Sequence, residues 1–306
     1  MKKENKILVS GGFGFIGTNL INHLLKKGFE IGVIDFVNNN KFKNITKYIG
    51  DISDYDFVNK TILDFQPNIV FHLAGFKHRS VNVKDIRLSL ESNLIGSLNI
   101  YESLLSLPNL KSVVTLGTAD EYGTKTPFFE ESSVEKPISP YGFSKLCATR
   151  LAIYFHQNYN LPISVLRPTI AYGPNQGLDM FIPALINSLI REKKFEMTPG
   201  NQKRDFIFIS DLIDVMFKVS QNNKLKGEIL NVGSGKSIML KDVAMIIASY
   251  LKKENFLELG SIPYRKNEVM DYNASIFKLN KKLCWNPKVN FEQGIDMTIK
   301  FFKENG

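Results

Sequence analysis

The run Gly11-Gly12-Phe13-Gly14-Phe15-Ile16-Gly17 constrains this chain more than any other segment. It follows a short apolar stretch, residues 7–10, whose composition predicts a strand. It leads into residues 14–27, whose pattern predicts a helix. Glycines spaced G-x-x-G-x-x-G suit a sharp strand-to-helix turn, because no Cβ hinders the bend or the approach of backbone N–H groups to an anion. The helix behind the turn presents its positive N-terminal end to the same anion. A lone glycine motif is weak, but here it stands in the setting a dinucleotide pyrophosphate requires. Gly11, Gly14, Phe15, Ile16 and Gly17 are therefore the first predicted cofactor contacts.

The rest of the chain repeats the alternation. Strands are predicted at residues 7–10, 30–35, 47–50, 69–73, 112–117, 164–167 and 228–232, and helices at 14–27, 54–65, 88–106 and 141–157. Such an order predicts an α/β fold, a Rossmann-type doubly wound parallel sheet, with a smaller mixed C-terminal region for substrate. The dinucleotide-binding domain is expected over residues 1–172, with 204–233 returning to it, and the substrate region over 173–203 and 234–306. Asp35 ends the second strand, where a carboxylate accepts hydrogen bonds from the adenosine ribose and repels a 2′-phosphate. That favours NAD. Lys41 and Lys43 close behind keep NADP open, and a simple turn aspartate is the alternative.

Composition narrows the class. The chain has 306 residues and a formal charge of +9, but its lysines come in scattered pairs without a dense basic run. A lysine-rich surface suited to an anionic small substrate is expected rather than a nucleic-acid partner. The apolar start is shorter than an export signal and far shorter than a membrane span. Two cysteines and four histidines show no metal-site or disulfide spacing. The expectation is a cytoplasmic enzyme without a metal.

Chemistry enters with Tyr141-Gly142-Phe143-Ser144-Lys145. On a helix, residues four apart share a face, and an ammonium beside a phenol favours the phenolate. Such a tyrosine moves a proton to or from a sugar oxygen as hydride moves. The motif lies one loop beyond residues 112–117, at the strand edge where an open α/β sheet gathers its catalytic groups. Thr118 stands at that edge, placed to hydrogen-bond the oxygen that Tyr141 serves; a strand-end cap is its alternative role.

These motifs, in this order, resemble the extended branch of the short-chain dehydrogenase/reductase superfamily, the nucleotide-sugar epimerase, dehydratase and reductase group. The likeness extends over nearly the whole chain: the glycine turn, Asp35, Gly50-Asp51-Ile52, His72-Leu73-Ala74-Gly75, Asn93, Thr118, Tyr141 with Lys145, Arg167-Pro168, Tyr172-Gly173-Pro174, Arg204-Asp205-Phe206-Ile207, Asn231-Val232-Gly233, Arg265 and Trp285-Asn286-Pro287. The resemblance implies that Asp51 and Ile52 meet the adenine, and that Leu73, Ala74, Gly75 and Asn93 line the dinucleotide groove. It implies that Phe181, Arg204 and Arg265 face a nucleotide diphosphate, although either arginine could be a surface ion pair. Lys77 and His78 would border the sugar or serve the structure. It also implies a homodimer formed by the helices around 88–106 and 141–157, unless their apolar positions all serve the core, and a place in making surface-polysaccharide sugars.

Two departures bear on the reaction. Ile170 stands where the family often has an asparagine after R-P-x. The 4,6-dehydratases follow the threonine with an Asp-Glu acid/base pair, whereas this chain reads Thr118-Ala119-Asp120-Glu121. Ala119 has no proton to give. Asp120 keeps the position of a base, and Glu121, on an extended segment, is expected to point to the opposite face. The tetrad resembles those of 4-keto-sugar reductases. The favoured activity is an NAD(P)-dependent oxidation or reduction at C4 of a nucleotide-diphosphate sugar. A 4-epimerase with retained NAD is the alternative, ahead of a 4,6-dehydratase or a non-catalytic regulator. Gly233-Ser234-Gly235-Lys236-Ser237 mimics the end of a phosphate-binding P-loop, but Leu230 stands where that motif needs glycine.

Overall fold

A computed structural model describes residues 6–77, 82–123, 128–265 and 268–305. The chain divides into two compact units. The first comprises Met1–Gly123, Glu131–Arg167 and Ile213–Leu230, the second Thr124–Glu130, Pro168–Leu212 and Asn231–Gly306.

The first unit is built on strands β1 (Lys6–Ser10), β2 (Glu30–Asp35), β3 (Thr46–Ile49), β4 (Ile69–His72), β5 (Ser112–Leu116) and β6 (Ile163–Pro168). A seventh strand, Ile229–Val232, follows β6 at the sheet edge, and the spatial order is the doubly wound one, with β1 flanked by β2 and β4. Neighbouring strands run parallel, for example with Val9 opposite Val33 and Phe71. Residues 7–9 are all fully buried. A strand covered by helices on both faces needs such a continuous apolar run, which is why these segments do not alternate.

Helices α1 (Phe15–Lys26), α2 (Tyr55–Phe65), α3 (Val83–Leu90), α4 (Gly96–Leu104) and α5 (Pro140–Tyr159) accompany the strands. Residues of α2, α4 and α5 such as Ile62, Ile100, Tyr101, Ala152 and Phe155 close over Leu8, Val70 and Val113 in one buried cluster. Their ends carry local signals. Asp54 caps α2 by accepting from Phe57 N–H at 3.1 Å. Ser139 caps α5, Pro140 takes its first turn, and Asn160 ends it in the left-handed conformation. The one long helix expected over 88–106 forms differently. It starts at Val83 and is interrupted by a π-turn, Glu91–Ile95, before α4 begins. One extra residue in a turn leaves apolar spacing on either side intact, so periodicity does not reveal it.

The second unit holds β7 (Ile170–Tyr172), α6 (Phe181–Ile190), β8 (Phe195–Met197) and β9 (Lys203–Phe208). Further along come the strands Ser237–Met239, Leu257–Leu259 and Asp271–Tyr272 and the helices Leu240–Leu251, Phe277–Leu283 and Phe291–Asn305. Strand β9 is its hub, pairing in parallel with β7 and Asp271–Tyr272 and antiparallel with Ser237–Met239. The sheet is thus mixed. Trp285 is buried, and the loop behind it is held by Asp211, which accepts from Lys288 and Val289 N–H at 3.0 Å each. Segment 233–237 runs into a strand, not a helix, so it has no helix end to offer a phosphate. Buried Asp205 accepts instead from Ser234 N–H at 2.8 Å, Ser234 Oγ–H at 2.6 Å and Gly235 N–H at 3.2 Å. Burial pushes the Asp205 carboxyl up to about 6 against the pull of those donors.

Candidate active site

The glycine turn lies between β1 and α1. Gly11 has φ +68°, in the region that favours glycine. A Cβ on Gly17 would come within 2.6 Å of Gly12 Cα. Gly14 caps α1 with no side-chain hydrogen bond, and no acidic residue stands in the first turn. The helix therefore keeps its N-terminal donors for an anion from outside the chain, which fits a pyrophosphate. Asp35 sits beside the turn: Oδ2 accepts from Phe13 N–H at 2.8 Å and Oδ1 from Val37 N–H at 3.1 Å. A carboxylate has lone pairs beyond these two, so the ribose role stays open while Asp35 also holds the turn in shape. Asp51 is exposed, and the Ile52 side chain lies in the core cluster.

A buried hydrogen-bond chain runs from the foot of the glycine turn to α5. Ser10 Oγ meets His72 Nδ1 at 2.6 Å, and His72 Nε2 meets Ser97 Oγ at 2.9 Å. Ser97 Oγ–H donates to Asn93 O at 2.5 Å, so its oxygen accepts from His72, which assigns the proton of the neutral ring to Nε2. Burial, then the Lys145 charge, lowers the His72 pKa to about 3. Asn93, in the π-turn, donates through Nδ2 to Phe76 O at 3.0 Å and to Ser144 Oγ at 2.8 Å, and its Oδ1 accepts from Phe76 N–H at 2.7 Å. Ser144 Oγ–H donates in turn to Tyr141 O at 2.9 Å. Asn93 thus ties the loop of Leu73, Ala74 and Gly75 to α5.

On α5, Tyr141 and Lys145 face the end of β5. The Thr118 and Tyr141 side chains are hydrogen bonded. Lys145 is buried, and its Nζ lies 3.9 Å from where a Cβ on Gly75 would stand. Lys77 Nζ stands 5.8 Å from the Tyr141 ring centre; His78 lies outside the described residues. The expectation that Lys145 draws the phenol down towards neutral pH is not met. Burial pushes the Tyr141 pKa well above its ordinary range, the Asp120 charge adds to that, and the Thr118 hydrogen bond opposes both. Burial lowers Lys145 to about 8, with Glu121 opposing.

Glu121 also departs from expectation. Residues Ala119–Glu121 form a 3-10 turn, not an extended segment, and Glu121 points inward, fully buried. Its Oε1 accepts from Thr118 N–H at 2.8 Å and from the Thr149 hydroxyl at 3.0 Å. Its Oε2 accepts from Arg167 Nε at 2.7 Å and Nη2 at 2.6 Å. Arg167 Nη2 also reaches Glu135 Oε1 at 2.9 Å, and Arg150 meets Glu135 from the other side at 2.7 Å. Burial pushes the Glu121 carboxyl up and Arg167 pulls it down. Every partner here can donate, so the contacts are those of a carboxylate. The signal was present in the sequence: Thr118-x-x-Glu121 has capping-box spacing, and a box turns its glutamate back onto the threonine N–H.

The residues expected to face the nucleotide lie in the second unit. Arg204 pairs with Glu268, donates to Val269 O at 2.6 Å and stacks 6.0 Å from the Tyr272 ring centre. Arg265 is exposed, and its carbonyl accepts from Glu268 N–H at 3.1 Å, so Glu268 links the two arginines. Phe181 opens α6 and packs on Phe195, ring centres 5.8 Å apart.

The profile of the NAD dependent epimerase/dehydratase family matches residues 7–233, and the chain belongs to that family. It is 30% identical over 315 residues to a UDP-glucuronate 4-epimerase of Thermodesulfobacterium geofontis, covering 97% of this chain and 96% of the relative. It is similar in structure to a UDP-glucose 4-epimerase of Thermotoga maritima solved with UDP-glucose, with TM-score 0.91, 25% identity and coverage of 98% and 99% of the two chains. A UDP-glucose 4-epimerase of Thermus thermophilus in complex with NAD gives TM-score 0.90 at 26% identity, covering 98% and 100%.

The Lys145 environment makes a testable statement about stability. Its pKa falls from 10.5 unfolded to about 8 folded, so between those values the unfolded chain binds more protons and stability rises with pH. The stability of the wild type relative to Lys145→Met is expected to rise by roughly 3 kcal/mol across that window. Urea denaturation at successive pH values measures it; a flat difference would mean that Lys145 is not desolvated.

Proposed function

We propose that this protein moves a hydride at C4 of a nucleotide-diphosphate sugar, as an NAD-dependent oxidoreductase. One observation carries the reading: a half-buried tyrosine, hydrogen bonded to Thr118 and followed one turn later by the buried Lys145, stands at the strand edge that also bears the glycine turn. When bound, the nicotinamide accepts or delivers the hydride, and its oxidised form brings a positive charge. Tyr141 Oη exchanges a proton with the C4 oxygen, and Thr118 orients that oxygen through the same hydrogen-bonding cluster. Lys145 contributes a cation held out of water. Arg204, whose guanidinium pairs with Glu268, and the exposed Arg265 are suited to the diphosphate, since a guanidinium binds two oxygens at once. Phe181 supplies an apolar face to the nucleotide, and Lys77, near the Tyr141 ring, borders the sugar. The net charge of +9 favours the approach of such an anion.

Loss of water from C5–C6 needs an acid at the leaving hydroxyl. Ala119, fully buried, has none, and this supports C4 chemistry that leaves C6 intact. A 4-epimerase that keeps its NAD is the second reading, favoured by the three relatives described above. Mass spectrometry and NMR of the product separate these. A change of two hydrogens at C4 is the expected result, an isobaric C4 epimer supports the second reading, and a product lighter by one water overturns both. Tyr141→Phe should lower turnover by roughly 10²–10⁴ while calorimetry still detects nucleotide-sugar binding; near-normal turnover would remove Tyr141 from its role.

Asp35 should make NAD(H) bind more tightly than NADP(H). Because it also holds Phe13 N–H, Asp35→Ala should weaken both and narrow the gap between them. Fluorescence titration with each cofactor tests this, and a wild-type preference for NADPH would reverse the assignment.

We further propose a homodimer through α3, α4 and α5. Val83, Leu88, Phe143 and Tyr154 leave 78%, 48%, 45% and 51% of their surface exposed, more than an apolar side chain in a covered helix retains. Light scattering at micromolar concentration should give twice the chain mass of 34.8 kDa; a monomer would refute it. Cys147 and Cys284 are free thiols, and among the described residues no helix is long and apolar enough to cross a membrane. Both fit a reaction in the cytoplasm.

A further inference from the structure

Glu121 carries a charge with no exposed surface. Burying a charge costs several kcal/mol, and an apolar residue of similar volume would fill the space without that cost. The two oxygens serve different ends. Oε2 is held by Arg167 of β6, which Glu135 steadies in turn. Oε1 is shared between Thr118 N–H and the Thr149 hydroxyl, at 2.8 and 3.0 Å. Thr118 bears the hydroxyl that meets Tyr141. Thr149 lies on α5 one turn beyond Lys145, on the same face. A single oxygen atom thereby joins the segment that carries Thr118 to the helix that carries Tyr141 and Lys145.

We propose that Glu121 is a positioning residue of the active site, its Oε1 setting the register between Thr118 and the Tyr141–Lys145 helix while Arg167 fixes the carboxylate from behind. The inference rests on the hydride-transfer reading given above. Thr118 has little freedom once its backbone N–H is held from one side and its Oγ1 accepts from Asp120 N–H at 3.2 Å. The charged and titratable groups around the carboxylate are Arg167 on β6, Lys145, Tyr141 and Cys147 on α5, and Glu135 and Tyr122 through the shared guanidinium; His72 on β4 faces Lys145. Of these, Lys145 feels Glu121 as the charge that favours its protonated form.

Removing Glu121 alone strands Arg167, so the test uses paired substitutions. Glu121→Leu with Arg167→Met deletes the shared acceptor. Glu121→Gln with Arg167→Met keeps an oxygen for Thr118 and Thr149 and removes only the charge pair. Both are first confirmed as folded by circular dichroism and thermal melting. The Leu pair should lose about 10² in kcat, the scale of a 1 Å misplacement, with KM unchanged, and the Gln pair should recover at least tenfold of that loss. A second readout needs no turnover: ¹³C NMR of lysine-labelled, cofactor-free protein, with Lys145 assigned through Lys145→Arg, should show its midpoint displaced below that of wild type in both pairs. Equal kcat in the two pairs, whether at the wild-type level or lost alike, overturns the positioning role, as does a Lys145 midpoint unmoved in both. Failure of the hydride-transfer reading shows itself separately, as normal turnover in Tyr141→Phe, and leaves the NMR result standing.

Discussion

The spacing between the glycine turn and α5 is fixed by the buried chain Ser10–His72–Ser97–Asn93–Ser144. Each link has one donor and one acceptor, and the ring of His72 is neutral, so the chain crosses the interior without a charge. Buried polar groups that are all satisfied specify a single arrangement, whereas one missing partner costs about 1–3 kcal/mol. The π-turn serves this chain. It turns Asn93 inward, and the Asn93 carbonyl accepts from Ser97 Oγ–H. The sheet supplies a scaffold, but this chain decides how far α5 stands from β1.

What the sequence made legible follows from chemistry local to a few residues. A glycine turn between a strand and a helix needs no tertiary knowledge to read, because only glycine tolerates Gly11's conformation and the closeness of Gly17 to Gly12. The central strands of the large sheet were legible because two-sided burial demands unbroken apolar runs, and each of the seven, the half-exposed edge strand β3 included, lies within one residue of its expected ends. Tyr141 and Lys145 were legible through helical spacing and their place after β5. Ser139-Pro140 and Asn160 set the limits of their helix.

The remainder depended on contacts between distant segments. The π-turn adds a residue without disturbing apolar spacing. Glu121 was expected on the face opposite Asp120 because an extended strand end alternates its side chains. The Thr118–Glu121 box instead wound the segment into a 3-10 turn, and Arg167, 46 residues away, gave the carboxylate a partner inside. No local pattern announces that pairing. The Tyr141 pKa failed for the same reason: spacing reports a neighbouring lysine, but only the packed structure reports how little water reaches the phenol.

Burial also decides the form in which Tyr141 rests. With its pKa raised by desolvation and by Asp120, the hydroxyl keeps its proton at neutral pH, and a protonated phenol is an acid. In the reaction proposed above, such an acid would protonate a C4 carbonyl oxygen as hydride arrives, which is the reductive direction. Oxidation requires the opposite, a phenolate ready to accept the sugar proton, and the Thr118 hydrogen bond favours that form. Any added positive charge beside the ring moves the same balance. The tyrosine is therefore held between two states by opposing local influences. In the proposed reaction its direction of proton transfer would then follow the charge brought next to it, and not the residue alone.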